Sequence, residues 1–227
     1  KIFGPGNQYV TAAKQLVSQD SVAIDMPAGP SELAVIADKT AIPEFIASDL
    51  LSQAEHGIDS QVILITDSDA IIEKVQIAIE QQLTAIPRKD IAVQALLNSK
   101  IVLMEDPGKM IKMMNAYAPE HLIIACENYQ EMAEKVVNAG SVFLGNYTPE
   151  SAGDYASGTN HTLPTNGWAH AYSGLNMDSF VKKITFQEIS KYGLFNISQA
   201  VTTMAAAEAL DAHKNAVEIR MKNGSEE

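Results

Sequence analysis

The chain carries five histidines, and one of them lies three residues after a glutamine. Gln53 and His56 fall in Leu-Leu-Ser-Gln-Ala-Glu-His-Gly at residues 50–57, which we predict to be the last two turns of a helix that Gly57 ends. Residues three apart lie on one helical face, about one turn from each other. An amide oxygen and an imidazole placed in this way can supply two ligands to a metal ion. The spacing therefore predicts half of a metal site, although glutamine is a rare ligand for zinc.

A second pair, Glu120 and His121, stands directly before an apolar run that is predicted to be a buried strand. Imidazole titrates near neutrality, and burial raises the pKa of a carboxyl group, so the two side chains can exchange protons with a substrate. Sites in open α/β sheets usually lie at the carboxyl ends of strands, whereas this pair lies at a strand entrance. The pair is therefore either a proton-transfer couple or a salt contact at a strand edge.

Asp154 and His161 lie in a segment, residues 145–174, that is rich in Gly, Ser, Thr and Asn and has little apolar periodicity. A connection of this length inside a compact domain is more often functional than idle. Carboxylate and imidazole groups are good ligands for zinc or manganese. We therefore predict that this loop carries binding residues.

The remaining histidines have weaker local signals. His213 lies in a predicted helix at 198–221, five residues after Glu208, so the two side chains are about 140° apart around the helix and do not share a face. Taken alone, His213 is predicted to be a surface residue. His170 has no evident partner in the sequence.

The elements that must position these residues alternate between strands and helices. Continuous apolar runs, such as Val-Ile-Leu-Ile-Thr at 62–66, are typical of strands buried on both faces. Further strands are predicted at 22–26, 32–38, 101–104, 122–125, 141–144 and 184–186, and helices at 7–18, 43–57, 69–84, 90–98, from 106 onward, at 128–139 and at 198–221. This alternation predicts an α/β fold with a mostly parallel sheet covered by helices on both faces, followed by a small helical C-terminal extension.

Composition excludes several classes of protein. The net charge of −12 argues against a nucleic-acid binder, and no apolar run approaches the roughly 18 residues of a membrane helix. A single cysteine, Cys126, cannot form an internal disulfide and is predicted to be a buried strand residue, so a cytoplasmic location is the simplest expectation. The chain begins Lys-Ile-Phe without a Met, and we expect it to be the C-terminal part of a longer protein.

Several stretches together resemble one known family, histidinol dehydrogenase. They are Phe-Gly-Pro-Gly-Asn at 3–7, Asp-Met-Pro-Ala-Gly-Pro-Ser-Glu at 25–32, Asp-Leu-Leu-Ser-Gln-Ala-Glu-His-Gly at 49–57, Pro-Glu-His-Leu at 119–122, residues 150–161, and Ala-His-Lys-Asn-Ala at 212–216. The resemblance runs from the first residue to about residue 220. It implies a Rossmann-like enzyme of histidine biosynthesis that oxidises L-histidinol through L-histidinaldehyde to L-histidine, with NAD and zinc as cofactors.

The resemblance also implies roles for individual residues. Glu120 and His121 would be the acid/base pair, and Asn7 would contact NAD. The implied zinc ligands are Gln53, His56, Asp154 and His213. The implied substrate-binding residues are these four ligands together with Ser31, His121, His161 and Glu208. The enzyme would be a homodimer in which His213 and Glu208 reach the partner's site.

We predict three parts of the chain. Residues 1–30 would be the end of a second Rossmann-like domain, residues 31–175 would form the main domain with the site, and residues 176–227 would form a dimerisation segment. Family members are nearly twice as long, and no Gly-x-Gly-x-x-Gly fingerprint is present here, which places NAD binding by this chain alone in question. Two alternatives stay open: a zinc-dependent hydrolase, and a non-catalytic remnant that dimerises or binds ligands. A remnant would be expected to have lost predicted ligands or the Glu120–His121 pair, and all of these residues are present.

Overall fold

The computed structural model describes residues 1–4 and 8–222. The chain forms two compact units, Lys1–Phe180 and Val181–Glu227. The division of the chain into three domains stays a prediction. Among the described helices, none combines the length and the apolar character that crossing a membrane requires.

The first unit is built on a five-stranded sheet in which all neighbouring strands are parallel, in the order β3-β2-β1-β4-β5. The strands are β1 (Glu32–Ala37), β2 (Gln61–Thr66), β3 (Lys100–Leu103), β4 (His121–Ala125) and β5 (Ser141–Leu144). Every residue of β1 and β4 is buried, as expected for apolar strands in the middle of a covered sheet. The predicted parallel α/β fold is confirmed.

Helices cover both faces of this sheet. The helices of the first unit are α1 (Gln8–Ser18), α2 (Pro43–Ala54), α3 (Asp69–Leu83), α4 (Lys89–Leu97), α5 (Pro107–Tyr117), α6 (Tyr129–Ala133) and α7 (Glu150–Tyr155), with short 3₁₀ helices at Trp168–His170 and Met177–Phe180. Successive residues of β1 point to opposite faces. Leu33 and Val35 pack in a core with α2, α3 and α4, whereas Ala34 and Ile36 pack in a core with α5 and α6.

The end of α5 delivers the chain to the start of β4. Asp106 caps the beginning of α5, since its Oδ1 accepts the backbone N–H groups of Gly108 at 2.8 Å and Lys109 at 3.1 Å. The helix ends at Ala118, whose φ of 52° lies in the left-handed region. Pro119 follows and cannot continue a helix. These features turn the chain so that β4 begins at His121.

Two predicted elements are wrong because side chains compete for the backbone. Residues 22–26 form only a single bridge, between Ile2 and Ile24, and the Asp25 carboxylate there accepts the backbone N–H of Gly4 at 2.8 Å. The helix predicted at 128–139 ends at Ala133. Beyond it, Asn115 Oδ1 accepts the backbone N–H of Val137 at 2.8 Å, which removes that group from helical pairing.

The second unit consists mainly of two helices, α8 (Lys191–Ala207) and α9 (Asp211–Lys222), which pack against each other. The single helix predicted at 198–221 is therefore wrong. Ala209 adopts a φ of 57°, and the backbone N–H of Leu210 donates to the carbonyl of Ala205, which together turn the chain between the helices. The strand predicted at 184–186 does not form.

Candidate active site

A cavity of about 490 Å³ opens where the amino end of β4 meets the end of α2, α7 and two loop segments. Six of the residues singled out from the sequence line it: Ser31, His56, Glu120, His121, Asp154 and His161. A seventh, Gln53, is fully buried behind them. The structure therefore brings together residues from four separate stretches of the sequence.

The Gln53 side chain lies between two imidazoles. Its Nε2 is 2.7 Å from His56 Nδ1, and its Oε1 is 3.2 Å from His121 Nδ1. In this orientation the amide donates to His56 and accepts from His121, so His121 carries its proton on Nδ1. In the neutral ring Nε2 is then the basic nitrogen, and it has no hydrogen-bond partner among the described residues.

The predicted helix end at Gly57 is wrong, because α2 ends at Ala54. His56 therefore lies beyond the helix. A turn nevertheless keeps its ring beside the amide, since the backbone N–H of His56 donates to the Gln53 carbonyl at 3.2 Å. The predicted pairing of Gln53 and His56 is therefore present, but a turn after the helix produces it and not the helix itself.

His121 is the first residue of β4, so the site lies at the amino ends of the strands, as the sequence indicated. The ring is 3% exposed and lies 5.9 Å from the Phe143 ring, measured between centroids. The neighbouring entrance of β5 approaches closely, because a Cβ on Gly140 would lie 2.5 Å from the Glu120 carbonyl oxygen. A side chain at Gly140 would therefore displace the backbone of the Glu120–His121 pair.

Three carboxylates surround the His121 ring. Its Nδ1 is 3.9 Å from both Glu120 Oε2 and Glu150 Oε1, and its Nε2 is 3.7 Å from Asp154 Oδ1. These separations exceed hydrogen-bonding distance, so the groups interact through their charges. The Glu120 carboxylate accepts the backbone N–H of Glu32, which is 3.2 Å from Oε2.

Burial and these charges shift the pKa values in the site. Burial by itself lowers the pKa of His121, but the carboxylates of Asp154, Glu120 and Glu150 outweigh it, and the pKa lies above its ordinary value. Burial raises the pKa of Glu120 and raises that of Glu150 to about 7. Asp154 is more exposed, and the neighbouring His121 ring lowers its pKa. The arrangement supplies a base, an acid and an ionised carboxylate within one cavity.

The sequence did not single out Glu150 and Glu32. Glu150 is 1% exposed, and its Oε2 has no partner among the described residues. It belongs to α7, which lies inside the segment predicted as a loop. Glu150 lies four residues before Asp154, so a helix predicted here would have placed both carboxylates on one face. Glu32 is also buried, and its Oε1 accepts the backbone N–H of Asn166 at 2.6 Å.

The donor groups of this site fit a cation. One ligand atom from each of His121, Glu150 and Asp154 lies within 4.8 Å of the others. Imidazole, carboxylate and amide oxygen are all groups that bind divalent metals. This trio overlaps with the predicted ligand set only at Asp154, although Gln53 and His56 lie next to it. The ligand assignment therefore stays a prediction.

The remaining predicted site residues lie elsewhere. His213 is exposed on α9, and Glu208 is exposed at the end of α8; both belong to the second unit. Asn7 lies outside the described residues. The proposed roles of these three residues stay predictions.

The contacts of Cys126 and His170 indicate structural roles for both residues. The thiol is buried directly after β4, 3.7 Å from the carbonyl oxygen of Ile36, and burial raises its pKa to about 12. A thiol with such a pKa stays protonated and is a poor nucleophile. His170 contacts Asn138 Nδ2 at 2.8 Å and the Ala116 carbonyl at 3.2 Å. Its ring therefore links the 3₁₀ helix at Trp168–His170 to the end of α5.

We expect Glu32→Gln to make stability less dependent on pH. Burial, reinforced by the charge of Glu120, raises the pKa of Glu32 from 4.5 to about 7. Between these values the folded chain holds a proton that the unfolded chain has lost, so stability falls as the pH rises through this window and is level above it. The difference is on the order of 2–3 kcal/mol for this group.

Urea unfolding at about pH 5 and about pH 8 measures this effect. The stability lost by the wild type between these two values should be smaller in Glu32→Gln, because glutamine does not titrate. Glu44→Gln, at an exposed position of α2, is the control and should leave the loss unchanged. Equal losses in the wild type and Glu32→Gln would contradict the prediction.

The α/β domain brings together a buried imidazole, three carboxylates and a bridging amide, which are groups that can transfer protons and could hold a cation. Comparison with known proteins then identifies the family. The family model described as histidinol dehydrogenase matches residues 1–221. The chain belongs to the histidinol dehydrogenase family.

Individual relatives are similar over nearly the whole chain. A histidinol dehydrogenase of Bacteroides thetaiotaomicron is 63% identical over 221 residues, which cover 97% of this chain and 52% of the relative. One from Vibrio parahaemolyticus is 56% identical, with 98% and 52% covered. The crystal structure of histidinol dehydrogenase from Elizabethkingia anophelis superposes with a TM-score of 0.95 at 61% identity, with 98% of this chain and 51% of that chain covered. The chain thus spans about half the length of the curated relatives it matches.

Proposed function

We propose that this chain carries the active site for the NAD-dependent oxidation of L-histidinol to L-histidine through L-histidinaldehyde. The observation that carries the proposal is the buried His121 ring, with its Nε2 directed to Asp154 and with Glu120 beside it, in a chain of this family. An alcohol oxidation needs a base for the hydroxyl proton as hydride leaves. An aldehyde oxidation then needs water added to the carbonyl before a second hydride leaves.

His121 is suited to the first proton transfer. Its Nδ1 is engaged by Gln53 Oε1, and its Nε2 is free to accept the hydroxyl proton. Gln53 also fixes the orientation of the ring, so that the base does not rotate away from the cavity. After the transfer, the carboxylates around the ring stabilise the imidazolium that has formed.

Glu120 is suited to the activation of water in the second oxidation. Its carboxyl group is buried, with a raised pKa, and it lines the same cavity as His121. The Glu32 backbone N–H holds the carboxylate in place. A water molecule beside Glu120 would lose its proton as it adds to the aldehyde carbon.

Within this proposal, a zinc ion would be held by Gln53, His56 and Asp154 of one chain and by His213 of its partner. When bound, zinc supplies a fixed point for the imidazole and amine of histidinol, and thus orients the substrate. Ser31 and His161 line the cavity and would contact substrate, as would Glu208 of the partner chain. Glu150 has an unpaired buried oxygen beside this group, which supports cation binding here.

The remaining parts of the proposal concern NAD and assembly. Asn7 would contact NAD, and the homodimer would bring His213 and Glu208 to the other chain's cavity. Large apolar side chains exposed on α8, Tyr192, Phe195 and Met204, are consistent with a helical unit that packs on another surface. A soluble substrate and a single buried thiol agree with a cytoplasmic enzyme.

The formation of NADH from histidinol tests this function. The assay uses the longest natural form of the protein, with zinc supplied and with a zinc chelator as the second arm. We expect NADH with zinc and a large loss of rate with the chelator, which zinc restores. The hydrolase alternative predicts no NADH in either arm. Absence of NADH from the zinc-supplied protein would overturn the proposed function.

A further inference from the structure

One wall of the cavity is a stretch of chain that forms neither helix nor strand. It consists of residues 161–165, which we call the wall segment, and His161, Thr162, Leu163 and Thr165 of this segment line the cavity. Leu163 and Thr165 are buried. Because the segment has no regular hydrogen bonding of its own, its position depends on contacts with other parts of the domain.

The wall segment ends in a tight turn at residues 165–168. The backbone N–H of Trp168 donates to the Thr165 carbonyl at 3.0 Å. Asn166 and Gly167, the two central residues, have φ angles of 53° and 75°, which is the pattern of a type I′ turn and favours Asn-Gly. Such a turn bonds only the N–H of its fourth residue, so the N–H of Asn166 needs an acceptor elsewhere.

The Glu32 side chain supplies that acceptor. Its Oε1 accepts the backbone N–H of Asn166 at 2.6 Å, and the side chain is buried at the first residue of β1. The hydroxyl oxygen of Thr165 accepts the backbone N–H of Gly29, three residues before Glu32. Both bonds therefore tie the end of the wall segment to the entrance of β1.

Glu32 also contacts the Glu120 side of the cavity, through its backbone. Leu33 pairs with His121 in the sheet, which places Glu32 beside Glu120 at the entrances of two adjacent strands. The backbone N–H of Glu32 donates to Glu120 Oε2 at 3.2 Å. A substitution at residue 32 keeps this N–H and changes only the bond to the wall segment, so the two contacts can be separated experimentally.

We propose that Glu32 is a positioning residue that holds the wall segment, and with it His161, at the distance from Glu120 that the substrate requires. The inference rests on the proposed function, in which His161 contacts histidinol. Glu32 itself touches neither substrate nor metal in this scheme. Its carboxylate acts through the backbone of Asn166.

Steady-state kinetics with histidinol test this role in the longest natural form of the protein. Glu32→Gln keeps an acceptor oxygen, whereas Glu32→Met has a similar length and no oxygen. We expect Glu32→Met to raise the KM for histidinol by about tenfold, with kcat within about threefold of the wild type, because the lost contact concerns substrate binding. Glu32→Gln should keep a KM close to that of the wild type.

The division between KM and kcat separates positioning from general stability. A purely structural role would lower the fraction of active enzyme, and thus the apparent kcat, without changing KM. Glu44→Met makes the same substitution at an exposed position of α2 and should leave both parameters unchanged. If Glu32→Met fails to fold, Glu32→Ala, which also lacks an acceptor, replaces it.

Hydrogen exchange gives a second measurement, which does not depend on activity. In peptides that cover residues 162–168, the backbone amides should exchange about tenfold faster in Glu32→Met than in Glu32→Gln. Peptides from β2, on the other side of β1, should exchange equally in the two variants.

The outcomes that overturn the inference are distinct from those that overturn the function. A wild-type KM in Glu32→Met or its Ala replacement overturns the inference alone. So does an equal rise of KM in Glu32→Met and Glu32→Gln, because the acceptor oxygen would then be irrelevant, and so does equal exchange at residues 162–168. A wild type that forms no NADH overturns the proposed function, and the role of Glu32 in substrate binding with it.

Discussion

Replacing His121 by asparagine is expected to lower turnover of histidinol by about a thousandfold while leaving the zinc content unchanged. The imidazole Nε2 is the free base in the cavity, and removal of a positioned general base typically costs 10²–10⁴-fold, so about 10³-fold is expected here. Asparagine is polar and can still bond to the Gln53 amide, so the surroundings of the site should persist. The measurements are turnover by NADH formation and zinc per chain, on the longest natural form of the protein.

The matched control for this change is His170→Asn. His170 also bonds to an amide and a carbonyl, but it lies among structural contacts with Asn138 and Ala116, so turnover should be unaffected. Loss of zinc from His121→Asn would contradict the prediction. It would instead assign His121 as a ligand, in the group that it forms with Glu150 and Asp154.

Mixing Glu120→Gln chains with His213→Ala chains is expected to restore activity that neither variant has alone. If His213 serves the partner's cavity, a mixed dimer contains one site with both an intact Glu120 and an intact His213. With random exchange of chains, half of the dimers are mixed and half of their sites are intact, so about a quarter of wild-type activity should return. NADH formation, followed after the chains have exchanged, measures the recovery.

Each variant mixed with itself provides the control, since refolding alone should restore nothing. Mixing Glu120→Gln with His121→Asn gives a second control. Glu120 and His121 of each site come from the same chain, so neither site of a mixed dimer would contain both residues intact. A mixture of Glu120→Gln and His213→Ala that is no more active than its parents would show that His213 serves its own chain.

The sheet could be predicted from the sequence because its strands carry strong local signals. The apolar runs at 62–66, 122–125 and 141–144 need burial on both faces, and the structure confirms strands there. The helix predicted from 106 onward is also confirmed, and Asp106 caps its start, which is an equally local feature. In contrast, the early end of α6 depends on Asn115, which is distant in sequence, and no periodicity shows such a contact.

The candidate site likewise contains residues that local signals predict and residues that only the folded structure shows. Gln53, His56, Glu120, His121, Asp154 and His161 were chosen from residue type, spacing and family motif, and the structure brings them to one cavity or directly behind it. Glu150 was missed because α7 has a weak helical sequence of small residues. Its position depends on the close approach to Phe143 that Gly153 allows. Burial of Glu32 likewise depends on partners such as Asn166 that lie far away in the chain.

The Gln53 amide has a consequence for proton traffic. An amide group that gives a hydrogen to His56 and takes one from His121 has no proton of its own to pass on at neutral pH. It therefore insulates the two rings from each other, even though each is within hydrogen-bonding distance of it. Protons released during two successive oxidations would therefore leave His121 through the cavity and not through the Gln53 amide.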